Sequence, residues 1–173
     1  MSIINKKKIN LFLYRHLPVI LLFISILNES DLNYLDVEYF SFNFSYILIF
    51  YFNLKRSQGI GYVFVFIAGL FNDVILGIPI GLSSLMFLIL CVATSYLRNI
   101  TLSPSLIKDS IFFLVTILII NSFLFFALNF IFDYELDFFD QITNITFTFL
   151  LYFLFSSIFN YFEKFLVGSS NVR

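Results

Sequence analysis

The chain has 173 residues, 60% of them hydrophobic and 12% charged, with a net charge of −1 and a mean hydropathy of +0.96. A soluble domain is about half apolar and about a quarter charged, and a small globule leaves too much of its chain in water to hide this much apolar surface. The composition thus excludes a water-soluble fold and calls for a lipid solvent. The single cysteine, Cys91, excludes an intrachain disulfide and a cysteine-rich metal site.

A bilayer crossing needs about 20 largely apolar residues. Such runs fall at 10–28, 39–54, 60–78, 80–97, 109–132 and 142–162. They predict an all-α integral membrane protein: a six-transmembrane-helix bundle forming one domain over residues 1–173. The first run is interrupted by Arg15, His16 and Pro18, so residues 1–16 either enter the membrane or lie along its interface, with the span starting near Leu17. Lys6, Lys7 and Lys8 before an apolar run also resemble a signal peptide, but no small-residue cleavage site follows, and an uncleaved first helix is expected.

Placing the charges orients the bundle. With the N-terminus inside, alternate loops put Lys6, Lys7, Lys8, Arg15, Lys55, Arg56, Arg98, Lys108, Lys164 and Arg173 on the cytoplasmic side. The opposite loops carry Glu29, Asp31, Asp36, Glu38, Asp133, Glu135, Asp137 and Asp140 and no basic residue. Basic residues flanking spans stay inside, so both termini are expected in the cytoplasm.

The unusual stretch is Gly69-Leu70-Phe71-Asn72-Asp73-Val74-Ile75-Leu76-Gly77-Ile78-Pro79-Ile80-Gly81. Gly69, Asp73, Gly77 and Gly81 recur every four residues, a spacing that draws a stripe along one helix face and lets a neighbouring helix approach closely. Pro79 between Gly77 and Gly81 marks a tight outer turn. Asp73 is the only acidic residue placed in the interior of a span, at a cost of about 2.5–3.5 kcal/mol at mid-bilayer. It therefore needs a partner. The candidates are Asn72, Ser83, Ser84, Asn121 and free backbone N–H groups at the turn. Its role is open between capping the turn or the following helix, locking two helices, and handling a proton or ion.

Catalytic groups do not converge. His16 is the only histidine and stands beside Arg15 near the cytoplasmic end. Ser83, Ser84, Thr94, Ser95, Thr116, Ser156 and Ser157 lack a nearby general base and read as interhelical hydrogen bonders. No metal or cofactor motif and no nucleic-acid signature is present. The expectation is a protein that is not an enzyme.

The run from Tyr46 through Lys55 and Arg56, then Gly61, then Ala68 to Leu82 with the pattern Gly-Leu-x-x-Asp-x-x-x-Gly-x-Pro-x-Gly, resembles the bacterial rod shape-determining protein MreD family. The strongest match covers 46–98. Tyr51 stands about where that family often has Trp, and no Pro follows Lys55 and Arg56. The resemblance implies a bundle like the substrate-binding subunits of vitamin-uptake (ECF-type) transporters. It also implies a multi-pass place in the bacterial inner membrane and a noncatalytic scaffold role in cell-wall elongation. The implied partners are an MreC-like single-span periplasmic protein and other membrane proteins of the elongation complex. The alternative is a small-solute-binding subunit of a transporter. Against it, the stretch Leu17 to Leu27 holds one small residue, Ser25, where an Ala-x-x-x-Ala contact would be expected.

Overall fold

The computed structural model describes residues 16–27, 42–55, 59–100 and 105–167, with side chains to 163. All of its regular structure is helical: α1 (His16–Leu27), α2 (Phe44–Lys55), α3 (Tyr62–Leu76), α4 (Leu82–Ile100), α5 (Leu106–Phe126), which continues as a π-helical turn over Ala127–Ile131, and α6 (Phe138–Val167). Three stretches are long and apolar enough to cross a membrane, Leu82–Ile100, Leu106–Ile131 and Phe138–Glu163. The helices in the first three predicted spans are shorter: 12 residues in α2 and 15 in α3, with α1 covering His16–Leu27. At 1.5 Å per residue, α2 reaches about 18 Å and α3 about 22 Å. Residues 1–15, where the choice between membrane entry and an interfacial course falls, lie outside the described residues.

Local chemistry sets the helix ends. Gly77 takes the left-handed conformation (φ 66°) as the C-cap of α3, and its N–H donates to the Asp73 carbonyl. Such a residue stops a helix cheaply only if it has no Cβ. The Asp137 carboxylate accepts the Phe139 N–H at 2.9 Å, an N-cap that starts α6 four residues before the predicted span. At the far end of α5, Asp133 has φ 55°, and the Tyr134 N–H returns to the Leu128 carbonyl at 3.0 Å.

The core is organised around α2. Every residue from Ser45 to Asn53 is buried, so this helix has no outward face and is the central strut. Tyr46 meets Phe87 of α4 edge-on at 5.7 Å, and Phe50 packs on Phe113 of α5 and Tyr152 of α6 at 4.8 and 5.6 Å. The outer faces of α3 to α6 instead expose large apolar residues, such as Val63, Phe71, Val92, Ile119 and Leu154. An apolar interior inside an apolar exterior suits a lipid solvent, not water.

Cross-links separate the two ends of the bundle. At one end Arg98 Nη1 donates to the Asn53 carbonyl at 2.6 Å, gathering Lys55, Arg98 and the start of α5 with Lys108 into a basic end. At the other, the Tyr134 hydroxyl donates to the Gly77 carbonyl at 2.9 Å, which joins the α3–α4 turn to the acidic connection 133–137.

Candidate functional site

The motif that the sequence singles out forms one compact device at the acidic end. Asp73, in the last turn of α3, is fully buried. Its Oδ2 accepts the Gly81 N–H at 2.6 Å and its Oδ1 accepts the Ser83 N–H at 2.8 Å. These are donors at the start of α4, where no preceding turn supplies carbonyl partners. The carboxylate is therefore an N-cap delivered from the previous helix, aided by the positive end of the α4 dipole. Asn72 Nδ2 donates to Ser83 Oγ at 3.0 Å, and the Ser84 hydroxyl donates to the Phe66 carbonyl at 2.9 Å.

Gly69 makes the closeness possible. A Cβ there would lie 2.6 Å from the Ser84 backbone nitrogen and closer still to its Cα. Pro79 has no N–H to donate, and its carbonyl accepts the Leu82 N–H at 3.3 Å across the turn. Gly81, with φ 100°, holds a conformation that a side chain disfavours.

One detail of the sequence reading is corrected here and another is narrowed. The four-residue recurrence does not run as one helical stripe: α3 ends at Leu76, so Gly69 and Asp73 lie on the helix whereas Gly77 and Gly81 are its C-cap and the entry to α4. The left-handed Gly77 ends the 3.6-residue periodicity on which the stripe depends. Among the candidate partners of Asp73, backbone N–H groups hold it, while Asn121 Nδ2 donates within its own helix to the Ile117 carbonyl at 2.9 Å.

The hydroxyl residues also divide. Ser83, Ser84 and Ser95 bond across helices, Ser95 with the Tyr62 hydroxyl at 3.2 Å. Thr94, Thr116 and Ser157 instead donate to the carbonyl four residues back in their own helices. That back-bond satisfies the hydroxyl with no neighbour at all.

Two further polar assemblies escaped the sequence reading. At the basic end Asn53 is a hub. Its Nδ2 donates to Cys91 Sγ at 3.0 Å, its Oδ1 accepts the Ile60 N–H at 3.1 Å, and its carbonyl takes the Arg98 bond. Along α6, Gln141, Asn144, Thr148, Tyr152, Ser156, Asn160 and Glu163 recur every three or four residues on the inward side. Gln141 Nε2 donates to the Asn121 carbonyl at 2.6 Å, Thr148 Oγ1 accepts the Asn43 N–H at 2.8 Å, and Glu163 Oε2 accepts the Tyr51 hydroxyl at 3.3 Å. A count of polar residues at helical spacing in the sixth span would have found this seam. Asp109, at the head of the fifth predicted span, is a second buried acid that the sequence reading passed over.

Among the described residues no group of three or more His, Cys, Asp or Glu side chains gathers in a metal-binding arrangement. The described residues thus define a helical fold, with three helices long and apolar enough to cross a membrane and an acid-stapled helical hairpin at one end. Its sequence matches no protein-family model and no curated protein, and its fold matches no solved structure.

Proposed function

We propose that the chain is a noncatalytic scaffold of the bacterial inner membrane that serves cell-wall elongation, in the manner of the MreD-like proteins its motif resembles. In this reading it crosses the membrane six times with both termini inside. It binds a single-span periplasmic protein of the MreC type together with other membrane proteins of the elongation complex. One observation carries the noncatalytic part. Both oxygens of the buried Asp73 carboxylate are committed to backbone donors, so the motif builds a hairpin and leaves Asp73 itself no free oxygen for chemistry. The bonded ends support the orientation: Arg98 on Asn53 and Tyr134 on Gly77 draw the basic and acidic loops to opposite poles, as short loops flanking spans require.

Affinity purification of the tagged chain from native membranes in mild detergent, with co-purifying proteins identified by mass spectrometry, tests the proposal. A coiled-coil, single-span periplasmic protein recovered with cell-wall synthases is the expected result. An ATPase recovered with a transmembrane coupling subunit, and no wall-synthesis protein, overturns it in favour of a solute-binding transporter subunit.

A further inference from the structure

The polar seam of α6 is bonded near both ends and unsatisfied between them. Ser156 is 1% exposed and its Oγ makes no well-formed hydrogen bond; the Tyr152 hydroxyl one turn back on α6 is the polar group beside it. The antiparallel register of α5 and α6 identifies what faces it. Phe125 packs on Phe138, Gln141 bonds to Asn121, and Phe113 stacks on Tyr152 with ring centroids 4.5 Å apart. One more turn along α5 and back along α6 sets Asp109 opposite Ser156. Asp109 is 3% exposed, and among the described residues no hydrogen bond reaches its carboxylate. The Tyr152 hydroxyl lies beside Ser156 and within electrostatic reach of Asp109.

A first-turn acid favours the helix dipole, but that explanation requires neither burial nor a position facing an unbonded hydroxyl. Burial makes the Asp109 charge costly, so the group takes up either a proton or a cation. Lys55 of α2 lies within reach of the Asp109 charge, yet it is exposed and forms no ion pair with it. Toward the acidic end, the packed rings of Phe50, Phe113 and Tyr152 close the space off. Asp109 itself stands in the first turn of α5, so the basic end is the nearer approach.

We infer that Asp109, Tyr152 and Ser156 form a binding site for a monovalent alkali cation, entered from the basic end of the bundle. One carboxylate with neutral hydroxyl oxygens supplies a single negative charge and oxygen-only ligands, the chemistry of a hard cation. Calcium sites commonly draw on several carboxylates, whereas one acid supplies a single negative charge, which a monovalent cation balances. Lys55 competes for the same charge, so its ammonium sets how strongly the cation is held. This inference stands apart from the scaffold reading and survives its failure.

The test follows unfolding of the purified full-length chain in detergent with a thiol-reactive dye, since Cys91 is buried and reports on opening. Sodium or potassium chloride is compared with choline chloride at equal ionic strength. The expected result is a melting temperature about 3–6 °C higher in the alkali salt. Asp109→Asn is expected to lose that rise, Ser156→Ala to reduce it and Lys55→Met to enlarge it. No rise in the wild type, or an undiminished rise in Asp109→Asn, overturns the site. If Asp109→Asn does not fold, an identical cation response in Ser156→Ala, Lys55→Met and wild type overturns it equally.

Discussion

The two motif glycines at positions 69 and 77 do different work, and substitution separates them. At Gly77 the backbone is left-handed but no atom lies within 4 Å of an added Cβ, so Gly77→Ala meets only the conformational cost of about 1–2 kcal/mol. At Gly69 the helix is regular, but an added Cβ meets the Ser84 backbone, which cannot swing aside as a side chain would. Gly69→Ala must push α3 from α4 and is expected to cost more, about 2–3 kcal/mol. Thermal unfolding of both variants checks the order, and the reverse order would mean that backbone strain, not close approach, governs the hairpin. Asp73→Ala strands two donors at the start of α4 in a buried place, an expected loss of about 2–3 kcal/mol. Asp73→Asn keeps one acceptor oxygen and is expected to lose about half as much. An Asp73→Ala melting curve superimposable on wild type would show that water replaces the carboxylate at no cost.

At the level of elements, the six apolar runs of the sequence correspond to six helices, because each helix here is a stretch whose apolar side chains have somewhere dry to go. Less was legible where apolar content says nothing about direction. The second run looks like any other span, yet α2 is enclosed on all sides, and only its neighbours reveal that. The acid staple was partly legible: a buried Asp nine residues before a helix start has few partners other than free N–H groups, and these were among the candidates. The Asn53 hub was not, since its contacts with Ile60, Cys91 and Arg98 join residues 7, 38 and 45 positions apart. That hub yields a prediction at the same scale. Asn53→Ala leaves the Ile60 N–H without its acceptor and removes the donor to Cys91. Local opening should become easier by about 1.4 kcal/mol, and native-state labelling of Cys91 by a small thiol reagent roughly tenfold faster. An unchanged labelling rate would show that the Asn53 side chain adds nothing to what packing and the Arg98 bond to its carbonyl already hold.

For the whole molecule, the bonded poles turn orientation into a question that two residues can answer. Arg98 on Asn53 fixes the ends of α2 and α4 together, and Tyr134 on Gly77 fixes the α3–α4 turn beside the α5–α6 connection. Lys108 lies in the first turn of α5 and Glu135 follows its far end, so nearly all of the 26-residue apolar stretch Leu106–Ile131 lies between them. At 1.5 Å per residue that stretch reaches about 39 Å, more than the roughly 30 Å of a hydrocarbon core. If this stretch crosses the bilayer, the two positions cannot lie on the same side. In a Cys91→Ala background, single cysteines are introduced by Lys108→Cys and Glu135→Cys, both at exposed sites. Glu135→Cys is expected to react with a membrane-impermeant maleimide in cells whose outer layer is opened. Lys108→Cys is expected to react only after the inner membrane is permeabilised. The reverse pattern would place the basic end outside, against the retention of lysine and arginine on the cytoplasmic side. Equal labelling of both from outside would mean that α5 does not span, and that the short lengths of α2 and α3 reflect a bundle lying partly in the interface.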